Sequence, residues 1–236
     1  MPNDRFDFKE FSIVQSGAAF KVGTDGCLLG AWTDVSGAER ILDIGTGSGV
    51  IALMLAQRSN TAIQAIDIDV SSAEQALRNV RQSPWSKRID VHHLALQNLK
   101  AADEGFDLMV CNPPFFKAST LSGNVRKDTA RHEEQLGLTT LLNCCRKLAS
   151  ESGRLCIVIP SHRLEDILRC AMDTGWHRSR QLNIRPVSGK SINRILLEFQ
   201  VDVPVKMQEE ECLLYDPHPV YSHRILALLR PYYLHL

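Results

Sequence analysis

A glycine-rich loop and an acid at the end of a strand are the first features whose residue types suggest binding chemistry. Residues 43–49 read D-I-G-T-G-S-G and follow a short apolar run. Glycines let a ligand approach the backbone closely, and the amino end of a following helix offers free N–H groups. Asp67 stands 22 residues after Gly45, where a carboxylate can accept both ribose hydroxyls of an adenosine, and Asp69 is its nearby competitor. The pattern predicts a nucleotide-type ligand.

Two other glycine motifs do not fit this loop. The pyridine-dinucleotide fingerprint G-x-G-x-x-G needs a third glycine at position 50, which is Val50. The nucleophile elbow G-x-S-x-G of the α/β-hydrolases needs glycines two residues before and after Ser48, where Thr46 and Val50 stand. The D-x-G-x-G-x-G loop with its strand-end acid resembles that of the class I S-adenosylmethionine-dependent methyltransferases. A generic nucleotide-binding loop is the alternative.

A second motif, Asn112-Pro113-Pro114-Phe115, follows an apolar run. It resembles the signature of enzymes that methylate an amino group on a planar system. Such an amine is a poor nucleophile, because its lone pair is delocalised into the ring. The Asn112 side-chain oxygen and the Pro113 carbonyl can accept hydrogen bonds from its two N–H groups. They can also stabilise the positive charge that develops on the nitrogen. Phe115 would stack on the base, and the prolines would keep the turn rigid. The alternative is a turn that only ends a strand.

Alternating strand and helix patterns provide the elements that would position these motifs. They predict an α/β fold, a Rossmann-like, doubly wound, mostly parallel sheet with helices on both faces and an antiparallel last strand pair. Ligands bind at the carboxyl ends of such strands. The predicted strands are 40–44, 62–68, 91–94, 106–111, 155–160, 179–184 and 193–201, and the predicted helices are 50–58, 71–82, 136–151 and 163–174. Phe6, Phe8 and Phe11 indicate a small hairpin or lid.

Further segments indicate which amino group is methylated. Residues 21–32, 82–85, 112–115, 130–132 and the 231–234 tail together resemble the bacterial tRNA adenine N6-methyltransferases that modify position 37 of a valine tRNA. The resemblance implies a seven-stranded class I methyltransferase domain over residues 1–236. Within it, 1–32 would be a lid and cofactor segment, 33–160 the cofactor-binding core, and 161–236 the rest of the sheet. It implies methyl transfer from S-adenosylmethionine to the adenosine without a general base or metal.

The resemblance also implies the site residues. Asn112, Pro113, Pro114 and Phe115 would be catalytic. The cofactor-binding residues would be Lys21, Gly23, Thr24, Asp25, Asp43, Gly45, Thr46, Gly47, Gly49, Asp67, Ile68, Ala95, Leu96 and Asn112. Ala95 stands where we expect an acid near the cofactor adenine, so Gln97 or a backbone carbonyl would have to accept from the adenine amine.

Three other functions remain open at this point. The same Asn-Pro-Pro-Phe turn fits methylation of a glutamine amide in a translation factor and of guanine N2 in ribosomal RNA. A cofactor-binding RNA module without catalysis is the non-enzymatic alternative.

Basic residues are concentrated in two stretches of a chain whose formal net charge is zero. Residues 117–131 contain one acid, Asp128, and four cations, which are Lys117, Arg126, Lys127 and Arg131. Residues 177–194 carry five cations and no acid. We expect the first stretch to contact tRNA phosphates because it adjoins the catalytic turn, and the second to be an alternative RNA surface or a solvated face.

Composition limits the class of protein. With 236 residues, 44% of them hydrophobic, the chain can form a core without disulfides or metal. Seven cysteines with no C-x-x-C spacing predict reduced core thiols, and no zinc-ligand spacing is present. The amino terminus lacks a signal pattern and no apolar run is long enough to span a bilayer. We expect a cytoplasmic monomer that binds neither metal nor membrane.

Overall fold

A twisted sheet with helices on both faces forms the centre of the computed structural model, which describes residues 4–15, 21–100, 104–113 and 137–235. In chain order the strands are β1 (Arg5–Asp7), β2 (Ser12–Val14), β3 (Arg40–Ile44), β4 (Ala62–Asp67), β5 (Ile89–His93), β6 (Phe106–Cys111), β7 (Ala149–Pro160), β8 (His177–Arg185), β9 (Arg194–Gln200) and β10 (Gln208–Leu213). Among the described residues, β3 to β10 form one eight-stranded sheet in the order β10-β8-β9-β7-β6-β3-β4-β5. Only β9 runs antiparallel to its neighbours.

The helices cover the sheet because its central strands are apolar on both faces. Residues 155–159 of β7 are all buried, as expected for a strand between two helical layers. The helices are α1 (Thr24–Trp32), α2 (Val50–Arg58), α3 (Val70–Arg81), α4 (residues 137–148), α5 (Leu164–Asp173) and α6 (His223–Leu229). One apolar cluster joins α1, α2 and α6 to the sheet, and a second joins α4 and α5 to the opposite face.

The predicted fold class is confirmed, but the predicted number of strands is wrong. The additional strand is β10, which pairs parallel with β8. Its first four residues, 208–211, are all exposed, so the strand lacks the apolar alternation by which strands are recognised. The predicted antiparallel pair of β8 and β9 does form. It does not close the sheet, because β10 lies outside it.

Several predicted boundaries shift. The predictions for β3, α2 and β6 match the observed bounds. The helix predicted over 136–151 ends earlier, since β7 begins at Ala149, where its pairing with β6 contains a register shift. Helix α3 begins at Val70, and its cap is Asp69, whose carboxylate accepts from the Ser72 backbone N–H at 2.7 Å. The predicted start at residue 71 therefore lies one residue inside the helix.

The phenylalanine-rich opening segment is a hairpin. Strands β1 and β2 pair antiparallel, and the stacked rings of Phe8 and Phe11 between them are buried, with centroids 4.4 Å apart. The ring of Tyr233, near the other end of the chain, packs edge-on against Phe8. The hairpin is therefore packed into the same apolar cluster as α1.

The cysteines lie mostly in the core. All seven cysteines are free thiols and five are buried, which confirms the prediction of reduced core thiols. Burial raises the pKa of the Cys27 and Cys212 thiols to about 11.

The part of the chain that the structure describes contains no helix with the length and apolar character needed to cross a membrane.

Candidate active site

The glycine loop lies at the carboxyl end of β3, where it leaves the backbone open to a ligand. Gly45 and Gly47 adopt left-handed conformations with φ of 68° and 57°, which favour glycine. A Cβ atom at either position would have no neighbour within 4 Å among the described residues. The N–H groups of Gly45 and Thr46 donate to the Ile66 carbonyl, each at 2.9 Å, and so join the loop to β4.

Asp43 is the buried acid beneath this loop. Its Oδ2 accepts from the Thr46 hydroxyl at 2.6 Å and from the Ala52 N–H at 3.2 Å. Its Oδ1 is buried and has no hydrogen-bond donor among the described residues. Burial raises the pKa of Asp43 to about 6, because it penalises the charged form more than these two bonds stabilise it, and the nearby charge of Asp67 adds to the shift.

Asp67 is held facing the loop at the end of β4. Its Oδ2 accepts from the Gly47 N–H at 2.8 Å and its Oδ1 from the Asp69 N–H at 2.9 Å. Each oxygen keeps a lone pair that can accept from a ligand hydroxyl. Asp69 instead accepts from the Ser72 N–H as the cap of α3, so Asp67 is the carboxylate that is hydrogen-bonded to the glycine loop.

The turn after β5 carries Ala95 and Leu96, the residues expected at the cofactor adenine, and is hydrogen-bonded to the end of β4. The Leu94 N–H donates to the Asp67 carbonyl at 2.8 Å, and Ala95 precedes a short 3₁₀ segment, Leu96–Asn98. Ile68 is 73% exposed beside Asp67, an apolar surface suited to the face of a base. Among the described residues, this turn carries no acid, as the sequence indicated.

Asn112 and Pro113 follow β6 at the same edge of the sheet. Strand β6 pairs with β3, and Cys111 lies opposite Ile44, so Asn112 is one residue past the strand that neighbours the glycine loop. The glycine loop and the first two residues of the second motif, Asn112 and Pro113, therefore follow neighbouring strands at one edge of the sheet. Burial, with added negative charge from Asp43 and Asp67, raises the pKa of Cys111 well above its usual range, which leaves this thiol unsuited to be a nucleophile.

Helix α1 brings its first turn to this edge. Gly23 caps the helix, and a Cβ on Gly26 would lie 3.5 Å from Nδ2 of Asn112. Asp25 forms an ion pair with Arg194, at 2.7 Å between Oδ2 and Nε. Sequence reasoning missed this pair, because residues so far apart in the chain give no local signal of contact.

The sequence of the chain matches the model of the methyltransferase small domain over residues 14–173, more than half of its length. The chain belongs to the methyltransferase small domain family. This methyltransferase is also similar over its whole length to curated proteins. It is 40% identical to the tRNA1(Val) (adenine(37)-N6)-methyltransferase of Phocaeicola vulgatus over 100% of both chains. It is 38% identical to the protein of that name from Trichodesmium erythraeum over 99% of both.

Solved methyltransferases share the fold of this family member. A predicted O-methyltransferase from Agrobacterium tumefaciens superposes with a TM-score of 0.70 at 16% identity, over 88% of this chain and 96% of the other. A magnesium protoporphyrin IX methyltransferase from Synechocystis, solved with bound S-adenosylmethionine, gives 0.53 at 17% identity over 75% and 76%. At these identities the likeness concerns the fold alone.

The second basic stretch of the methyltransferase is largely engaged within the protein. Arg180 forms an ion pair with the buried Glu198 at 3.2 Å, Arg185 pairs with Glu211, and Arg194 pairs with Asp25. Arg178 donates to the Gln181 side chain. The positive charge that residues 177–194 present to a partner is therefore smaller than the sequence suggests. Pro114 and Phe115, together with Lys117, Arg126, Lys127 and Arg131, lie outside the described residues.

Proposed function

We propose that this methyltransferase transfers a methyl group from S-adenosylmethionine to the N6 amine of adenosine 37 in a valine tRNA. Full-length similarity to proteins of that name supports the substrate. The observation that carries the reaction type is the adjacency of Asn112 and the glycine loop at one edge of the sheet. A tRNA substrate also supports the expected cytoplasmic location.

The residues at the glycine loop fit this cofactor. The unpartnered Oδ1 of Asp43 is an acceptor that a cationic or N–H donor group would satisfy, as the ammonium of the methionine moiety can. The space above Gly45 and Gly47 admits a ligand against the backbone. Asp67 has lone pairs for the ribose, and Ile68 with Leu96 offers apolar contact to the adenine. Lys21, Gly23 and Thr24 would complete the methionine side of the pocket.

The chemistry expected of this chain is positioning and electrostatic stabilisation. When bound, S-adenosylmethionine supplies a methyl group attached to a positively charged sulfur. The Asn112 side-chain oxygen and the Pro113 carbonyl accept hydrogen bonds from the two N–H groups of the target amine. These bonds orient the amine so that its lone pair points at the methyl group. As positive charge develops on that nitrogen, the same two oxygens stabilise it. The proton is lost from the methylated, cationic amine, which is far more acidic than the starting amine, so no general base is required.

Replacing Asn112 with Ala tests this role. We expect the rate of methylation of a valine tRNA transcript to fall by about 10²-fold or more, by analogy with the loss of one transition-state hydrogen bond. Binding of S-adenosylhomocysteine, measured by calorimetry, should change little. A transcript with guanosine at position 37 is the substrate control and should not be methylated. Unchanged turnover in the variant would refute the role of Asn112.

The competing substrates need a separate comparison. Nucleosides from the total tRNA of a deletion strain should lack part of the N6-methyladenosine found in the parent strain. An intact nucleoside profile together with a missing methylglutamine peptide would instead support methylation of a translation factor. A loss confined to methylguanosine in ribosomal RNA would support the guanine N2 reaction.

A further inference from the structure

The first turn of α1 faces the proposed catalytic amide across a narrow gap. Gly26 is buried, and a Cβ at this position would lie 3.5 Å from Nδ2 of Asn112 and 3.7 Å from Cγ1 of Val50 in α2. An added methyl group would thus be in ordinary van der Waals contact with both, so at Gly26 the gap that separates α1 from the Asn112 side chain and from α2 is about the width of one methyl group. A shift of this turn would free the Asn112 side chain to change its orientation.

Contacts from the carboxyl-terminal part of the chain hold this turn in place. Arg194, the first residue of β9, forms the ion pair with Asp25. Thr24 lies close enough to Tyr221 to lower the pKa of that phenol, and Tyr233 lies close enough to Cys27 to lower the pKa of that thiol, against the larger effect of burial in each case. Strand β9 pairs with β7 through Arg194 and Pro160, so the arginine lies on the sheet itself, at the edge where the site is built. Thr24, Asp25 and Cys27, on either side of Gly26, thus each lie near a residue far along the chain.

The Arg194–Asp25 pair contributes little to stability. Their side chains are 37% and 33% exposed, and ion pairs with this exposure add little to the free energy of unfolding. Its consequence is geometric, because it fixes the residue next to Gly26. We propose that Arg194 is a positioning residue, which through Asp25 holds the first turn of α1 against Asn112 in the arrangement that methyl transfer needs. The inference rests on the proposed function and extends it to a residue that touches neither substrate nor cofactor.

The test compares Arg194→Ala and Arg194→Lys in the full-length protein with a valine tRNA transcript. We expect the single-turnover rate of Arg194→Ala to fall about tenfold, since small misplacements of catalytic groups have large effects on rate. The KM for tRNA and the affinity for S-adenosylhomocysteine should stay within threefold, and the melting temperature should be close to that of wild type. Arg194→Lys should recover most of the rate, because the pair uses a single nitrogen.

A double-mutant cycle with Asp25→Asn identifies the pathway of the effect. If Arg194 acts through Asp25, the double variant should be no slower than the slower single variant. Arg224→Ala is the matched control, because Arg224 forms a similarly exposed ion pair with Glu210, at 2.8 Å, outside the site. It should keep the wild-type rate.

Three outcomes overturn the inference: a wild-type rate in Arg194→Ala, multiplicative losses in the double variant, or a loss expressed only in KM or cofactor affinity. Failure of the proposed function looks different. In that case the wild-type protein itself methylates no tRNA, and the inference falls with it.

Discussion

At the scale of single residues, Asp43 shows how burial can tune a binding site. Its carboxylate accepts two hydrogen bonds through one oxygen, while the other oxygen is buried without a donor among the described residues. The raised pKa of about 6 means that the folded apo protein favours the neutral acid more than the unfolded chain does. Protonation of Asp43 therefore stabilises the fold below the unfolded value of 3.8, and this contribution is lost as the pH rises through 6.

Cofactor binding should show the opposite pH dependence. If the ammonium of the ligand pairs with ionised Asp43, binding below pH 6 must first remove a proton. We expect the affinity for S-adenosylhomocysteine, measured by calorimetry, to be about tenfold weaker at pH 5 than at pH 7 and to level off above pH 7. The Asp43→Asn variant should bind more weakly at pH 7 and lose most of this dependence. A variant that keeps the wild-type pH profile would show that another group titrates.

Residue types and spacing alone predicted which motifs would meet at the site. The glycine loop and Asn112 could be placed together because both follow strands of one parallel sheet, whose carboxyl ends share an edge. Asp67 and Asp69 could not be separated from the sequence, since both follow the same strand. Only the hydrogen bond from the Ser72 N–H to Asp69 settles that Asp69 is the helix cap.

At the scale of elements, apolar pattern predicted the buried parts of the fold and failed at its margins. Strands β3 and β6 and helix α2 are buried along nearly their whole length, and their predicted bounds are correct. Strand β10 is polar because it lies at the edge of the sheet, with one neighbour and four exposed residues. Its pairing with β8 depends on residues distant in sequence, which no local pattern encodes.

The start of α3 provides a quantitative test at this scale. Asp69→Ala removes the side chain that caps the helix and leaves the Ser72 N–H without its acceptor. We expect the free energy of unfolding, from urea titration at pH 7, to fall, because the first turn of the helix loses its side-chain cap. Ser71→Ala is the control, because Ser71 is exposed within the first turn and does not cap it. Equal losses in the two variants would contradict the assignment of the cap.

At the scale of the whole molecule, net charge conceals how cations are distributed. The formal net charge of zero states only that 27 Lys and Arg residues are matched in number by 27 Asp and Glu residues, and it does not show which of them pair within the fold. Arg180, Arg185 and Arg194 each have a carboxylate partner, so most of the charge in residues 177–194 is already neutralised. Residues 117–131, which follow Asn112 to Phe115 in the sequence, carry four cations and one acid, and we propose that they make most of the phosphate contacts.

Salt dependence of tRNA binding separates the two stretches. If Lys117, Arg126, Lys127 and Arg131 each neutralise one phosphate, replacing all four with Ala should reduce the slope of log K against log salt by about 3 to 4. Fluorescence anisotropy with a labelled valine tRNA transcript between 50 and 200 mM KCl, the range over which such contacts lose affinity steeply, measures this slope. The Arg178→Ala/Lys190→Ala variant is the comparison, because it removes two cations of the other stretch without breaking an ion pair seen in the structure. A larger change in that variant would place the principal RNA contacts on residues 177–194, and the charge of residues 117–131 would then serve solubility instead of binding.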